Sequence, residues 1–337
     1  MSEIEVRELK ESEYEIWDKL VEKSPHGTIF HNSDWLIAHS KLLNKKLKIY
    51  GFFRGHQMIG GCPLYMYRLK FLKVGSSNVE MTPYSGIIFT QLPETNVRKR
   101  EHVYITTIRS LCDVIDKEQI DIIQIVNSPN FIDVRPFIWK GWRSKVHYTY
   151  CLDLDLEINI PKEVRWNIRK AIKNNIIIRR LNDPTIFYEL FSMTFKRKNL
   201  IPAVTKDFFE YILKLLKRKK IGEMWIAEMP SGEVASAEIF VWDNKRAYRW
   251  MAASHTALRS TGATSLLIYE VFQNLKREGF KEVILMAANV PQLAEFMSSF
   301  NPKLIPYYSV EKKKFLAKTI ELIREVLYEK KRIHEDI

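Results

Sequence analysis

Cysteine is scarce in this chain: Cys62, Cys112 and Cys151 are all that 337 residues contain. None belongs to a CxxC pair or stands near a His pair at a metal-ligand interval, so neither a disulfide framework nor a metal site is expected. The surroundings CPLY, LCDV and YCLD hold nothing that would stabilise a thiolate, and the three read as reduced core thiols of a cytosolic protein. Also missing is any uncharged apolar run of about 18 residues, the length that spans a bilayer. The richest stretch, 81–93, is broken by Pro83 and Gly86. The opening MSEIEVRELKESEYEIW has no basic segment followed by an apolar one, and reads as folded protein rather than a secretory leader. With 12 Gly and 13 Pro, the chain is neither collagenous nor linker-rich.

What is present is ordinary globular material, 46% apolar and 28% charged. At about 150 residues per core the length points to two domains. The formal net charge of +13 favours polyanions, whether tRNA, nucleotide, phosphorylated lipid or an anionic membrane face, without choosing among them.

The two halves resemble each other. DWLIAHSKLLNKK from Asp34 and DFFEYILKLLKRK from Asp207 each place an Asp, a candidate N-cap, before an aromatic, then a Leu-Leu pair and a basic end, which suits a helix dipole. Each is followed by hairpin grammar, LKIYGFFRGHQMIGGCPLYMY and GEMWIAEMPSGEVASAEIFVW. Next come a helix and a short apolar strand: 103–115 before 121–126, and 265–277 before 282–286. The order helix, hairpin, helix, strand thus occurs twice. The expected division is 1–152 and 153–311, with a helix over 161–174 opening the second half behind a Pro suited to a first turn. A long amphipathic helix expected over 312–331, within a C-terminal segment 312–337, would pack back on the first domain.

The densest chemical signal is AYRWMAASHTALRSTGATSLLIYEVFQNLKREGFKEVIL. It reads strand, loop, Gly-bearing turn, helix, strand, with Arg259, Gly262 and Ala263 where the loop becomes the helix. Free N–H groups at a helix start bind phosphate. Gly262 permits close backbone approach, and Arg259 adds a charged fork. The bland alternative is a helix start beside a surface Arg. His255 in the preceding loop is more often a surface residue than a base. Tyr248, Trp250 and Ser254 alternate onto one strand face, where aromatics are usually core. Arg165 and Arg169, four apart with Lys162 and Lys173 nearby, make a basic helical stripe; a solvated face is the bland alternative.

RSTGATSLLIYEVFQNLKREGFKEVIL resembles the GNAT pattern of Arg or Gln, two residues, Gly, any residue, then Gly or Ala, with Thr264 in the last small-residue place. In that superfamily this loop holds the pyrophosphate of coenzyme A. The whole chain is similar to the FemAB-like branch, whose members carry two GNAT-like domains. The resemblance rests on SPHGTIFHNSDWL, on RWNIRKAIKNNIIIRR, its most specific part, and on LAEFMSSFNPKLIPYY. It implies an α/β fold of two tandem GNAT-like domains, mixed central sheets flanked by helices. The coiled-coil arm of some relatives is missing, since 174–220 holds only two helix-sized segments. Characterised relatives transfer amino acids from aminoacyl-tRNA to the peptide of a cell-wall precursor.

From this resemblance the chain is expected to be a cytoplasmic acyltransferase, acting from acyl-CoA or aminoacyl-tRNA as co-substrate on an amine of a cell-envelope or polysaccharide precursor. No metal or bound cofactor is implied. The backbone N–H near Met251 or Ala252 would polarise the donor carbonyl, and Tyr248, or else Tyr307 or Tyr308, would protonate the leaving group. Arg259, Gly262, Ala263 and Thr264 would hold donor phosphate. Trp35, Arg165, Arg169, Trp250, Ser254 and Phe296 would face substrate or tRNA. Where relatives have Phe-Lys, with the Lys implied to stabilise the oxyanion, this chain has Phe296-Met297, so another donor substitutes or the reaction differs. The other class of reading is a non-catalytic nucleic-acid or anionic-membrane binder that keeps the fold. No RNA-binding signature supports it.

Overall fold

The computed structural model describes residues 4–92, 96–155, 160–197, 199–315 and 317–319. The elements run in chain order β1 (Ile4–Glu8), α1 (Tyr14–Lys23), α2 (Ser33–Leu42), β2 (Lys46–Arg54), β3 (Gln57–Leu69), β4 (Leu72–Ser76), β5 (Ile88–Phe89), α3 (Val97–Lys117), β6 (Ile122–Val126) and α4 (Arg135–Trp139). They continue with β7 (Arg143–Asp153), α5 (Lys162–Lys173), β8 (Ile177–Arg180), α6 (Pro184–Lys196), α7 (Lys206–Lys219), β9 (Gly222–Glu228), β10 (Val234–Trp242), β11 (Ala247–Ser254), α8 (Ala263–Arg277), β12 (Glu282–Ile284), α9 (Pro291–Ser298) and β13 (Lys303–Lys313). From β1 to β7 and from β8 to β13 the same succession occurs, apart from the short β5. The expected duplication is therefore present, with α2 and α7 in equivalent places. Residues 174–220 hold β8 and the helices α6 and α7.

The chain divides into two compact units, Met1–Val146 with Tyr307–Ile337, and His147–Pro306. In the first the strand order is β1-β2-β3-β4-β6-β13, in the second β8-β9-β10-β11-β12-β7. Each sheet mixes antiparallel hairpins with one parallel pair, β4 with β6 and β11 with β12. A division at 152 and 311 would leave each last strand with its own half. Instead β13 pairs with β6 and β7 pairs with β12, so each half of the sequence supplies the closing strand of the other unit's sheet. Lys312 and Lys313, expected to open a helix, end β13, where they pair with Ile123 and Ile122. Most of that expected helix lies outside the described residues.

Strand alternation sorts the side chains of the first unit. Tyr50, Phe52, Cys62 and Leu64 pack with Ile108, Leu111 and Cys112 of α3, while Ile49, Phe53 and Tyr65 pack with Trp17 and Leu20 of α1 and Leu36 of α2. Cys62 and Cys112 are buried and Cys151 half-buried, all free thiols. Burial pushes the Cys112 thiol up to about 12 and that of Cys151 to about 11, which leaves them protonated and inert. Asp34 and Asp207 are not the caps. Asn32 caps α2 by accepting from the Asp34 N–H at 3.0 Å, and Thr205 precedes α7, so each Asp falls in the first turn, where its charge still suits the dipole.

Trp35, expected to face a ligand, is fully buried. Its indole N–H donates to Thr82 Oγ1 at 3.0 Å and its ring stacks on His39 with centroids 4.5 Å apart. It is core. Burial holds the His39 imidazole neutral, its pKa pushed down to about 4. In the unfolded chain the ring titrates near 6.5, so protonation favours unfolding. The stabilisation present above pH 6.5 is lost as the pH falls towards 4, on the order of 2–3 kcal/mol of it by pH 4.5. Urea unfolding at pH 7 and pH 4.5 should show wild-type protein losing that much more stability than His39→Leu.

Candidate active site

The site is built where β11 leaves its neighbours in the second unit. On one edge β11 pairs with β10, but Phe240 faces Arg249 while the adjacent Ile239 faces Met251, so Trp250 is an extra residue in a β-bulge. On the other edge the parallel ladder with β12 holds only two pairs, Ala247 with Val283 and Tyr248 with Ile284. Beyond them the strands part. The chain after β12 is drawn to β7 instead: the Leu285 N–H donates to Tyr150 O at 2.9 Å, and the Asn289 side chain bonds both the N–H and the C=O of Tyr148, at 2.8 and 2.9 Å. Met286 and Ala287, at the departure, both hold left-handed φ, 56° and 59°, an expense of backbone energy that tends to mark functional sites. The result is a wedge with β11 on one side. Met251 is half-buried and Ala252 exposed along it.

The bulge also reverses the alternation that a linear reading extends through the strand. Tyr248 and Trp250 share one face, but Ser254 pairs with Ser236 on the opposite one. Trp250 packs towards Phe208 of α7, with ring centroids 6.5 Å apart. The Tyr248 ring is fully buried and its hydroxyl donates to Asp243 Oδ2 at 2.8 Å, in the β10–β11 turn. That turn lies at the opposite end of β11 from the loop to α8, which removes Tyr248 as a donor of protons to a leaving group. Tyr307 belongs to the first unit, where its ring meets Tyr84 edge-on at 5.6 Å, and the Tyr308 carbonyl accepts the Asn127 N–H at 3.0 Å.

Above the end of β11 the loop to α8 passes through a 3-10 turn, Thr256–Thr261, and Gly262 caps the helix with φ of 84°. The first helical bond is Leu266 N–H to Gly262 O at 3.1 Å, and the Ala263 N–H reaches Thr261 Oγ1 at 3.3 Å. The remaining first-turn donors, the N–H groups of Thr264 and Ser265, have no bond among the described residues. The Thr264 hydroxyl ties α8 to the sheet through Ser236 Oγ at 3.1 Å. Arg259 is exposed and has no ion pair among the described residues. Burial and then the charge of Arg197 lower its pKa, so two guanidinium groups repel each other beside this helix start. His255 lies 3.4 Å from Glu233 through Nε2.

The NIRKA segment explains itself here. In α5, Ile168 and Ala171 are buried, the Lys170 ammonium donates to Ser260 O at 2.7 Å, and the Asn167 backbone abuts Gly262. A Cβ on Gly262 would overlap the Asn167 carbonyl oxygen and lie 2.9 Å from its carbon. The glycine is therefore required by the close approach of α5. Arg165 and Arg169 are exposed on the outer face, with no ion pair among the described residues.

Two groups escaped the sequence reading. Glu238 of β10 is fully buried and pairs with Arg249 of β11, Oε1 to Nη2 at 2.6 Å; burial raises the carboxyl pKa, opposed by the Arg249 charge. The signal was available as a lone Glu in SAEIFVW and a lone Arg in YRWM, charges placed inside apolar strands. Arg249 Nη1 also lies 3.6 Å from Met297 Sδ. Met297 is buried, so it presents no free side chain, while Phe296 is half-buried and packs edge-on against Phe300 at 5.7 Å. The cation beside Met297 is Arg249. Among the described residues no cluster of His, Cys, Asp and Glu could hold a metal ion, and no helix is long and apolar enough to cross a membrane.

In the second unit, then, a strand splays from its parallel neighbour beneath a glycine-capped helix start. Residues 162–291 match the family model described as the acetyltransferase (GNAT) domain. The whole chain has a tandem GNAT-type fold. It is similar to the crystal structure of FemX, with a TM-score of 0.67 and 12% identity over 90% of this chain and 96% of that one. A tandem GNAT protein from the clavulanic acid biosynthesis pathway superposes with a TM-score of 0.58 and 11% identity, over 92% of this chain and 98% of the other. The C-terminal domain of a protein from Agrobacterium fabrum, assigned as a lysylphosphatidylglycerol synthetase, gives 0.52 and 12%, over 79% and 85%. No curated protein matches by sequence.

Proposed function

We propose that the second unit transfers an acyl or aminoacyl group from an activated, phosphate-bearing donor to an amine. The observation that carries this reading is the wedge between β11 and β12 with the α8 start at its mouth. A carbonyl laid along β11 meets the backbone N–H of Met251 or Ala252, while donor phosphate meets the Thr264 and Ser265 N–H groups and Arg259, relieving the repulsion from Arg197. The acceptor nitrogen attacks the carbonyl carbon. The carbon–sulfur bond of a thioester, or the ester carbon–oxygen bond of an aminoacyl-tRNA, then breaks with its electron pair on the leaving atom, and the proton shed by the amine neutralises it.

The match to an acetyltransferase model favours acyl-CoA as donor. Aminoacyl-tRNA is the second reading, favoured by the stripe of Arg165 and Arg169 on α5, which has no ion pair among the described residues. The acceptor class is an amine of a lipid-linked or cell-envelope precursor, a reading supported by the similarity to the domain assigned to lysylphosphatidylglycerol synthesis, and the setting is cytoplasmic, where both donors are made. Isothermal titration with acetyl-CoA tests the donor site. Arg259→Ala should weaken binding about ten- to a hundredfold by removing one charge-assisted contact, with an unchanged melting temperature. Equal affinity in the variant, or equal binding of acetyl-CoA and inorganic polyphosphate, would favour the non-catalytic polyanion binder.

A further inference from the structure

The turn between β3 and β4 breaks the local rules of hairpins. Leu69 pairs with Leu72, so the loop is the two residues Lys70 and Phe71, a place where Asn and Gly are favoured because the backbone turns left-handed. Lys70 nevertheless holds φ of 57°. Phe71 is 62% exposed and Leu69 58%. A turn optimised for stability would carry neither the cation at positive φ nor two bare apolar side chains.

A third apolar group stands at the same end of the first unit's sheet. The Asp121 N–H donates to Lys73 O at 2.8 Å on one side, and the Lys314 N–H donates to Asp121 O at 2.9 Å on the other. The β3–β4 tip and residue 315 are thereby held about two strand spacings, roughly 10 Å, apart. Phe315 is 84% exposed. Around this apolar rim the charges without an ion pair among the described residues are of one sign. Arg68, Lys70, Lys117 and Lys318 are exposed without an ion pair among the described residues, while the acids there are already engaged: Asp121 with Lys314 at 3.6 Å, Asp116 with Lys312 at 2.7 Å and Glu118 with Lys48 at 2.5 Å.

We propose that the tip formed by Leu69 and Phe71, with Phe315 and the surrounding cations, is a docking surface for an anionic lipid bilayer. Apolar side chains entering the headgroup region and cations meeting anionic lipid are the two signals that together give stable, reversible attachment. A nucleic acid satisfies the cations but offers nothing to an aliphatic leucine. The inference stands apart from the acyl-transfer reading, since attachment requires no turnover.

Co-sedimentation of the full chain with vesicles tests it, using phosphatidylcholine alone and phosphatidylcholine with about a third phosphatidylglycerol. The wild-type protein should bind the anionic vesicles, more weakly as salt rises. The double variant Leu69→Ser and Phe71→Ser should bind them at least about tenfold more weakly, with unchanged circular dichroism and melting temperature. Absence of binding by the wild type, or equal binding by the double variant, overturns the proposal. So does a wild-type dimer that the double variant dissolves, which would assign the tip to a second copy of the chain, and so does a lowered melting temperature of the variant, which would mean the tip is covered within the folded protein.

Discussion

Gly262→Ala should destabilise the second unit by about 3 kcal/mol or more, although it adds a single methyl group. The left-handed backbone at Gly262 costs an L-residue roughly 1–2 kcal/mol, and a Cβ there collides with the backbone of Asn167, which cannot rotate away as a side chain could. Overpacking of this kind adds about 1–3 kcal/mol. At about 2–4 °C per kcal/mol for a domain of this size, the melting transition should fall by roughly 10 °C. Donor affinity should fall with it, because α5 carries Lys170, whose ammonium holds the Ser260 carbonyl. An alanine variant that melts with the wild type would show that α5 does not rest on this glycine.

Arg249→Leu should be the most costly single change in the sheet, about 3–5 kcal/mol, because it strands the Glu238 carboxylate in the interior. Adding Glu238→Leu should restore much of the loss, since the pair's own net contribution is small once both charges go. The pH dependence has a definite sign. Burial raises the folded-state pKa of Glu238 above its ordinary 4.5, and removing the cation raises it further. A group raised in the folded state contributes stability below its unfolded pKa and loses it as the pH climbs. The deficit of Arg249→Leu should therefore be small near pH 4.5 and grow above it. Arg249 sits beside the bulge residue Trp250, so the double variant, though refolded, should lose kcat while KM for the donor holds. Denaturant titrations at pH 4.5 and 7.5, with steady-state kinetics on the double variant, check both parts.

Much of the fold was legible in the sequence, because it rests on local periodicities. The hairpins announced themselves through RGHQ and PSGE, the helices through their apolar spacing, and the duplication through the shared order of elements. The loop proposed to hold donor phosphate stood out in the sequence for the same reason, since a strand, a glycine and a helix follow one another without interruption. What could not be read depends on partners distant in the chain. The bulge at Trp250 exists only in the register against β10, so a strict period of two misplaced Ser254. Trp35 follows a capping Asn as a ligand-facing aromatic could, yet Thr82 and His39 enclose it. The reason for Gly262 lies 95 residues earlier at Asn167, on a helix whose basic outer face drew attention away from its inner one.

The exchange of closing strands has a consequence for biosynthesis. The sheet of the first unit is completed by pairs between Ile122–Val126 and the segment 309–313, so the first unit emerging from the ribosome must wait, with β6 open along one edge, until residues 309–313 have been made. The second unit already has β7 in hand when β12 appears. It is therefore the later-synthesised unit that can close its sheet first, reversing the usual order in which domains mature along a nascent chain. An open edge beside Ile123 and Ile125 is a template for wrong pairing, and the vulnerable interval lasts for the translation of roughly 190 residues, about 10–40 s at ordinary elongation rates.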